Sequence, residues 1–236
     1  MPNKVSIRID GEYVDAREGQ TILEVARAAG KFIPTLCQMA GLTASGACRV
    51  CVVEVSGVNR LMPACTTAAQ DGMSVTTISE KLTRYRQMTV ELLLAERNHY
   101  CAICVSNGHC ELQSLASKLG ITHVRFSYAY PRLPVDLSHE KFVLDHNRCI
   151  LCARCVRVCA EVEGAHVWNI GSRGAQSMLV SELNQPWGKS KGCTSCGKCI
   201  QACPTGALAE KGFAVEEMCK NSEVISRLAG KREAHV

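Results

Sequence analysis

The sequence predicts an α+β protein built from three small units in series. Three observations carry this. Residues 1–78 alternate apolar and polar positions around turn signals and hold one short segment of helical period. Residues 79–120 carry the strongest helical period in the chain. Residues 141–210 return to short strands and turns, set between two dense cysteine runs.

Taken in order, residues 4–9 (KVSIRI) and 12–15 (EYVD) alternate around Asp10-Gly11, a tight-turn pair, and predict a hairpin. Residues 20–29 place Ile22, Leu23, Val25, Ala26 and Ala29 at helical spacing before the stop signal Gly30. A strand over 50–56 and a return strand near 74–78 complete a small sheet with one helix across it, a β-grasp arrangement. Residues 79–96 predict a helix capped by Ser79, with Leu82, Tyr85, Met88, Leu92 and Leu93 as its apolar face. A second helix follows near 111–119. Residues 121–140, with Pro131 and Pro134, read as a linker. Inside 141–210 the 33 residues between Cys159 and Cys193 read as a hairpin followed by a loop around Trp187. Residues 211–236 read as a docking helix whose amphipathic part, 214–229, presents Val215, Met218, Ile225 and Leu228.

Sixteen cysteines in 236 residues require disulfides, zinc or iron–sulfur clusters. The opening MPNKVSIRIDGEYVD has no apolar core, cleavage site or twin arginine, and no apolar run approaches the ~18 residues of a membrane span. A cytoplasmic chain without disulfides is expected. The formal charge of +5 counts the thiols as neutral. Three clusters held by four thiolates (about −2 each) and one by three thiolates and a histidine (about −1) would contribute about −7 and leave the whole near −2, so the basic surplus does not imply nucleic acid.

Cys37, Cys48, Cys51 and Cys65 follow C-x10-C-x2-C-x13-C around a loop rich in small residues. Four thiolates suit a [2Fe–2S] centre, and small residues let backbone N–H groups approach its sulfides. Zinc sites usually pair two short knuckles, and this site has one. CILCARCVRVC (149–159) and CTSCGKCIQACP (193–204) repeat C-x2-C-x2-C-x3-C, the run of two-cluster bacterial ferredoxins, in which the fourth Cys serves the other cluster. One [4Fe–4S] cluster is therefore expected on Cys149, Cys152, Cys155 and Cys203, and another on Cys193, Cys196, Cys199 and Cys159. The fourth cysteine is expected to open a helix pointing toward the neighbouring cluster. Arg148, Arg154, Arg157 and Lys198 lie among these ligands and read as a solvated basic face.

Cys101, Cys104 and Cys110 lack a fourth thiol nearby; His99, His109 and distant Cys219 stand as candidates. His109 adjoins Cys110, and two adjacent residues turn poorly toward one metal. The stretch NHYCAICVSNGHC resembles the [4Fe–4S] site of one histidine and three cysteines that follows the [2Fe–2S] domain in respiratory complex I and in hydrogenases. The resemblance implies His99 as the ligand, with Cys219 as the rival. The usual family spacing, H-x3-C, falls here on Arg97, and His99 gives H-x-C.

The order of these motifs resembles the HoxU-type diaphorase iron–sulfur subunit of NAD-reducing [NiFe] hydrogenases, related to the N-terminal part of the complex I large iron–sulfur subunit. That resemblance implies an oxidoreductase subunit with one [2Fe–2S] and three [4Fe–4S] clusters and no catalytic residues of its own. It implies a hetero-oligomer, with FMN and NAD on a diaphorase partner and the nickel–iron centre on hydrogenase small and large subunits. The sequence fits this: it has no dinucleotide fingerprint, P-loop or H-E-x-x-H. A complex-I-like NADH dehydrogenase, an NAD-linked formate dehydrogenase and a zinc-stapled scaffold are the alternatives.

Overall fold

The structure is a computed structural model that describes residues 4–218, 220 and 223–233; Cys219 lies outside them. Strands β1 (Lys4–Ile9) and β2 (Glu12–Arg17) form the expected hairpin. Asp10 (φ 49°) and Gly11 (φ 90°) both take the left-handed conformation that a two-residue turn needs to match strand twist. The Asp10 carboxylate also accepts hydrogen bonds from the Thr77 backbone N (2.7 Å) and Oγ1 (2.6 Å), tying the turn to the far end of the unit.

Helix α1 (Ile22–Ala28) starts in a capping box between Thr21 and Glu24. Its Ile22, Leu23, Val25 and Ala26 are buried against Ile7, Ile9, Val53 and Val75 of the sheet. With β3 (Val52–Val55), β4 (Met62–Pro63) and β5 (Ser74–Thr76), the sheet runs β2-β1-β5-β3-β4, and β5 is parallel to β1. The two-residue β4 had no sequence signal, because it cannot show alternation and contains a proline.

Helix α2 (Glu80–Glu96) is capped by Ser79, whose Oγ accepts from Leu82 N at 3.2 Å. Its buried face differs from the one expected: Leu82, Arg86, Val90 and Glu91 point inward, while Met88 and Leu92 are 37% and 46% exposed. Two charges replace apolar residues on the inner face, and each finds a hydrogen-bonding partner there, although Arg86 Nε is left without one. Arg86 donates to Val52 O at 2.8 Å, and Glu91 accepts from Arg125 Nε at 2.9 Å.

Helix α3 (Glu111–Lys118) buries Leu112 and Leu115. They and Val90 pack with Leu36 and Val50 of the first unit and Ile150 of the third, so the middle unit shares its core with both neighbours.

The third unit is a sheet ordered β10-β7-β6, from β6 (Val135–Asp136), β7 (Phe142–Asp145) and β10 (Leu208–Glu210). Helix α4 (Arg154–Arg157) runs into a π-helical turn over Val158–Glu163. The insert forms the expected hairpin, β8 (Asn169–Gly171) with β9 (Met178–Val180). Helix α5 (Lys198–Ala202) precedes β10. Cys159 lies inside the π-helical turn and Cys203 ends α5, so the fourth cysteines do not open helices as expected. Each helix instead begins just before the third cysteine of its run, and its length carries the fourth away.

The last helix, α6 (Glu223–Glu233), is shorter than the 214–229 segment suggested. Val215 and Met218 are buried in the turns before it. It packs on the loop after Cys37: Ser226 Oγ donates to Ala40 O at 2.9 Å. A Cβ at Gly41 would lie 2.7 Å from Ala229 Cβ, so this approach requires glycine. Among the described residues, no helix is long and apolar enough to cross a membrane.

Candidate metal centres

All fifteen described cysteines are free thiols, and each lies in one of four groups. In the first, Cys37, Cys48, Cys51 and Cys65 are buried where the loops after α1 and β4 meet the start of β3. Arg49 between two of them takes a left-handed φ of 58°, which turns Cys48 and Cys51 to one side. Cys51 Sγ lies 3.4 Å from Cys65 Sγ, and Cys48 N donates to Cys37 Sγ at 3.5 Å. Hydrogen bonds from Cys48 and Cys65 push the Cys37 thiol well down, and one from Cys65 brings Cys51 down to about 7. The same contacts push the Cys48 and Cys65 thiols well up, so negative charge is favoured on only two of the four sulfurs.

The two repeated runs share one backbone solution. Leu151 and Ala153 in the first, and Ser195 and Gly197 in the second, take left-handed φ of 51°, 56°, 55° and 70°. These kinks curl each loop around a cavity. The first cavity is lined by Cys149, Cys152, Cys155 and Cys203. The second is lined by Cys193, Cys196, Cys199 and Cys159. Each fourth cysteine therefore sits in the other run's cavity. Burial pushes the thiols up, Cys149 to about 11 and Cys152 to about 12. Thiolates in such surroundings need adjacent positive charge, which iron supplies. Trp187, which packs edge-on against Trp168, donates its indole N–H to Cys193 Sγ at 3.3 Å. Val167 N donates to Cys159 Sγ at 3.4 Å.

The fourth group lines a separate cavity: His99, Cys101, Cys104 and Cys110, with Ser106, Arg148 and Gly206. Burial, with Arg148 nearby, brings the His99 imidazole down to about 4, so it is neutral at physiological pH. It hydrogen bonds the Leu93 main chain, and its buried Nε2 has no partner. A neutral ring with an unpartnered nitrogen, lining one cavity with three thiols, is a donor set that fits an iron site. His109 is elsewhere, with Nε2 3.5 Å from the Glu216 carboxylate. Arg97 turns away to donate to Ser177 O at 2.8 Å.

Two members of this cavity carry no sequence signal. Ser106 is 1% exposed and its Oγ has no partner. A Cβ at Gly206 would lie 2.7 Å from Cys104 Sγ and 3.0 Å from Ser106 Oγ. Gly206→Ala is therefore expected to displace Cys104 and empty this site alone. Iron would fall by about four atoms per chain with the other clusters' EPR signals intact; unchanged iron would refute the cradle role.

The basic residues among the ligands are not a solvated face. Arg148, Arg154 and Arg157 are buried, and Lys198 is partly so and pairs with Glu163. Arg148 pairs with Asp145 at 3.5 Å and donates to Asn98 O. Arg154 makes a bidentate pair with Glu111 (2.6 and 2.8 Å) and donates to Gln38 O at 3.0 Å. A surface reading fails because each guanidinium meets a carbonyl from a distant segment, and Arg154 a distant carboxylate as well, contacts that desolvation then strengthens.

Three family models match, in series: a 2Fe-2S iron-sulfur cluster binding domain over 2–80, the NADH-ubiquinone oxidoreductase-G iron-sulfur binding region over 86–125, and the ferredoxin-like domain of NADH-quinone oxidoreductase subunit 3 over 141–209. With the four cysteine groups, they define an iron–sulfur electron-relay subunit of an oxidoreductase, carrying both [2Fe–2S] and [4Fe–4S] sites.

The chain is 34% identical to the gamma subunit of the NAD-reducing hydrogenase HoxS of Cupriavidus necator, over 88% of this chain and 87% of that one. It superposes with a TM-score of 0.84 on a chain of the crystal structure of NAD+-reducing [NiFe]-hydrogenase in the H2-reduced state, at 39% identity and 89% coverage of each. The chain belongs to the family of these HoxU-type hydrogenase subunits. It is also 39% identical to the alpha subunit of the NADPH-Fe(3+) oxidoreductase of Geobacter sulfurreducens, over 89% of this chain, and spans only 24% of that relative's length.

Proposed function

We propose that this chain relays single electrons between a hydrogenase module and a flavin- and NAD-binding partner in a cytoplasmic hetero-oligomer. Its residues would hold one [2Fe–2S] cluster (Cys37, Cys48, Cys51, Cys65) and three [4Fe–4S] clusters. These would sit on His99 with Cys101, Cys104 and Cys110; on Cys149, Cys152, Cys155 and Cys203; and on Cys193, Cys196, Cys199 and Cys159. Bound clusters supply one-electron redox chemistry, and FMN, NAD and nickel–iron would reside on partners.

The protein's part is to fix the centres and keep water from them. Apolar walls such as Ile150 and Leu179 close the Cys149 cavity, and Phe142, Trp168 and Trp187 close the Cys193 cavity. The indole and backbone N–H groups on Cys193 and Cys159 lower the cost of negative charge there. The observation that carries the reading is the complete grouping of the fifteen described cysteines into four sites, with one unpartnered imidazole nitrogen at the site lacking a fourth thiol.

Anaerobically purified protein should contain about 14 iron atoms per chain and no zinc. Stoichiometric zinc with little iron would instead establish the scaffold alternative. Partners decide the rest: nickel and flavin should co-purify. Molybdenum or tungsten would point to formate oxidation. A quinone-reducing assembly would point to the complex I relatives, among which an NADH-quinone oxidoreductase chain of Rhizobium meliloti is 35% identical over 86% of this chain.

A further inference from the structure

We propose that Arg157 is a positioning residue shared by two redox centres, clamping the Cys37 site to the Cys149 site and setting the potential of both. The inference rests on the relay reading. Arg157 is 9% exposed on α4. Its Nη2 donates to Cys37 O at 2.6 Å and to Cys152 O at 3.1 Å. One guanidinium nitrogen thus bridges the main chains of ligands from two different centres. Nη1 donates to Thr43 O at 2.5 Å and Nε to Ala153 O at 3.2 Å.

These contacts join segments 114 and 120 residues apart in the chain. Arg154, three positions earlier on α4, extends the same grip to Gln38 O. Glu161 adds a third point, accepting from Thr43 N at 2.8 Å. The loop after Cys37 is therefore held by the third unit rather than by its own sheet.

Carbonyl groups alone are poor compensation for a full positive charge taken out of water. The arrangement is favourable once thiolate-held clusters lie on both sides, because the cation then faces negative charge in two directions. Each centre gains one negative charge on reduction, so a fixed cation between them favours the reduced state of both. The step it serves is a one-electron exchange: one centre is oxidised as the other is reduced, no bond forms or breaks, and no proton moves. The hydrogen bonds also give a continuous bonded route from Cys37 to Cys152, which tunnelling favours over a gap.

The test uses the purified holo-complex with Arg157→Met and Arg157→Lys, followed by iron analysis and EPR redox titration. In Arg157→Met the potentials of the [2Fe–2S] centre and of the Cys149 cluster should both shift negative. The other two [4Fe–4S] clusters should hold their potentials, and magnetic coupling between the two affected centres should weaken. Arg157→Lys, which keeps the charge and loses the fork, should restore much of the potential and leave the coupling weakened.

Retained iron with unchanged potentials and coupling in Arg157→Met would overturn the proposal. If that variant loses iron, Arg157→Lys decides, and unchanged coupling there would overturn it equally. Absence of iron from the unsubstituted complex would instead defeat the relay reading itself.

Discussion

His99→Ala is expected to abolish one of the three [4Fe–4S] clusters proposed above and spare the other sites. Total iron should fall from about 14 to about 10 per chain, with loss of one cubane EPR signal. Three thiols line the cavity, and the imidazole is the only further ring in it. Burial keeps that ring neutral, and Nε2 is left without a partner. An unpartnered buried nitrogen is costly unless something binds it.

Loss of a direct ligand should exceed the 10–100-fold weakening typical of groups that only orient ligands. His99→Cys should restore iron and move the potential negative, since imidazole in place of thiolate raises it. An intact third cubane in His99→Ala would place the ligand elsewhere, with Cys219 the next residue to replace.

Much of this architecture is legible in the sequence because its signals are local. The hairpin follows from one Asp-Gly pair, and the start of α2 from Ser79. The cysteine runs announce their chemistry because each loop wraps its own cavity within seven residues, 149–155 and 193–199. What stays hidden is made by contacts between distant segments. Arg86 and Glu91 read as solvent-facing because periodicity counts apolar residues, and their partners Val52 and Arg125 lie 34 positions away. Ser106 and Gly206 meet only in space. Arg154 and Arg157 look like a surface pair until the Cys37 loop covers them.

Cys203→Ala is expected to erase the cluster of the other run. Cys203 belongs in sequence with Cys193, Cys196 and Cys199, and in space with Cys149, Cys152 and Cys155. Its removal should therefore abolish the same EPR signal as Cys149→Ala. Cys199→Ala, four residues earlier, should abolish a different one together with Cys159→Ala. Were Cys203→Ala and Cys199→Ala to lose the same signal, the crossed assignment would be wrong.

The effect should also reach stability. Cys155, Cys159, Cys199 and Cys203 all belong to the core that contains Val158, Ile200 and Leu208. Cluster binding there contributes directly to folding free energy. On the crossed assignment proposed above neither run completes its shell alone, so α4 and α5 must dock before either cluster is fully held, and losing one cluster frees an end of both helices. Cys203→Ala should accordingly lower the thermal midpoint of the holoprotein more than His99→Ala does, since His99 bridges no second site. Equal midpoints for the two variants would show that the crossing adds no stability of its own.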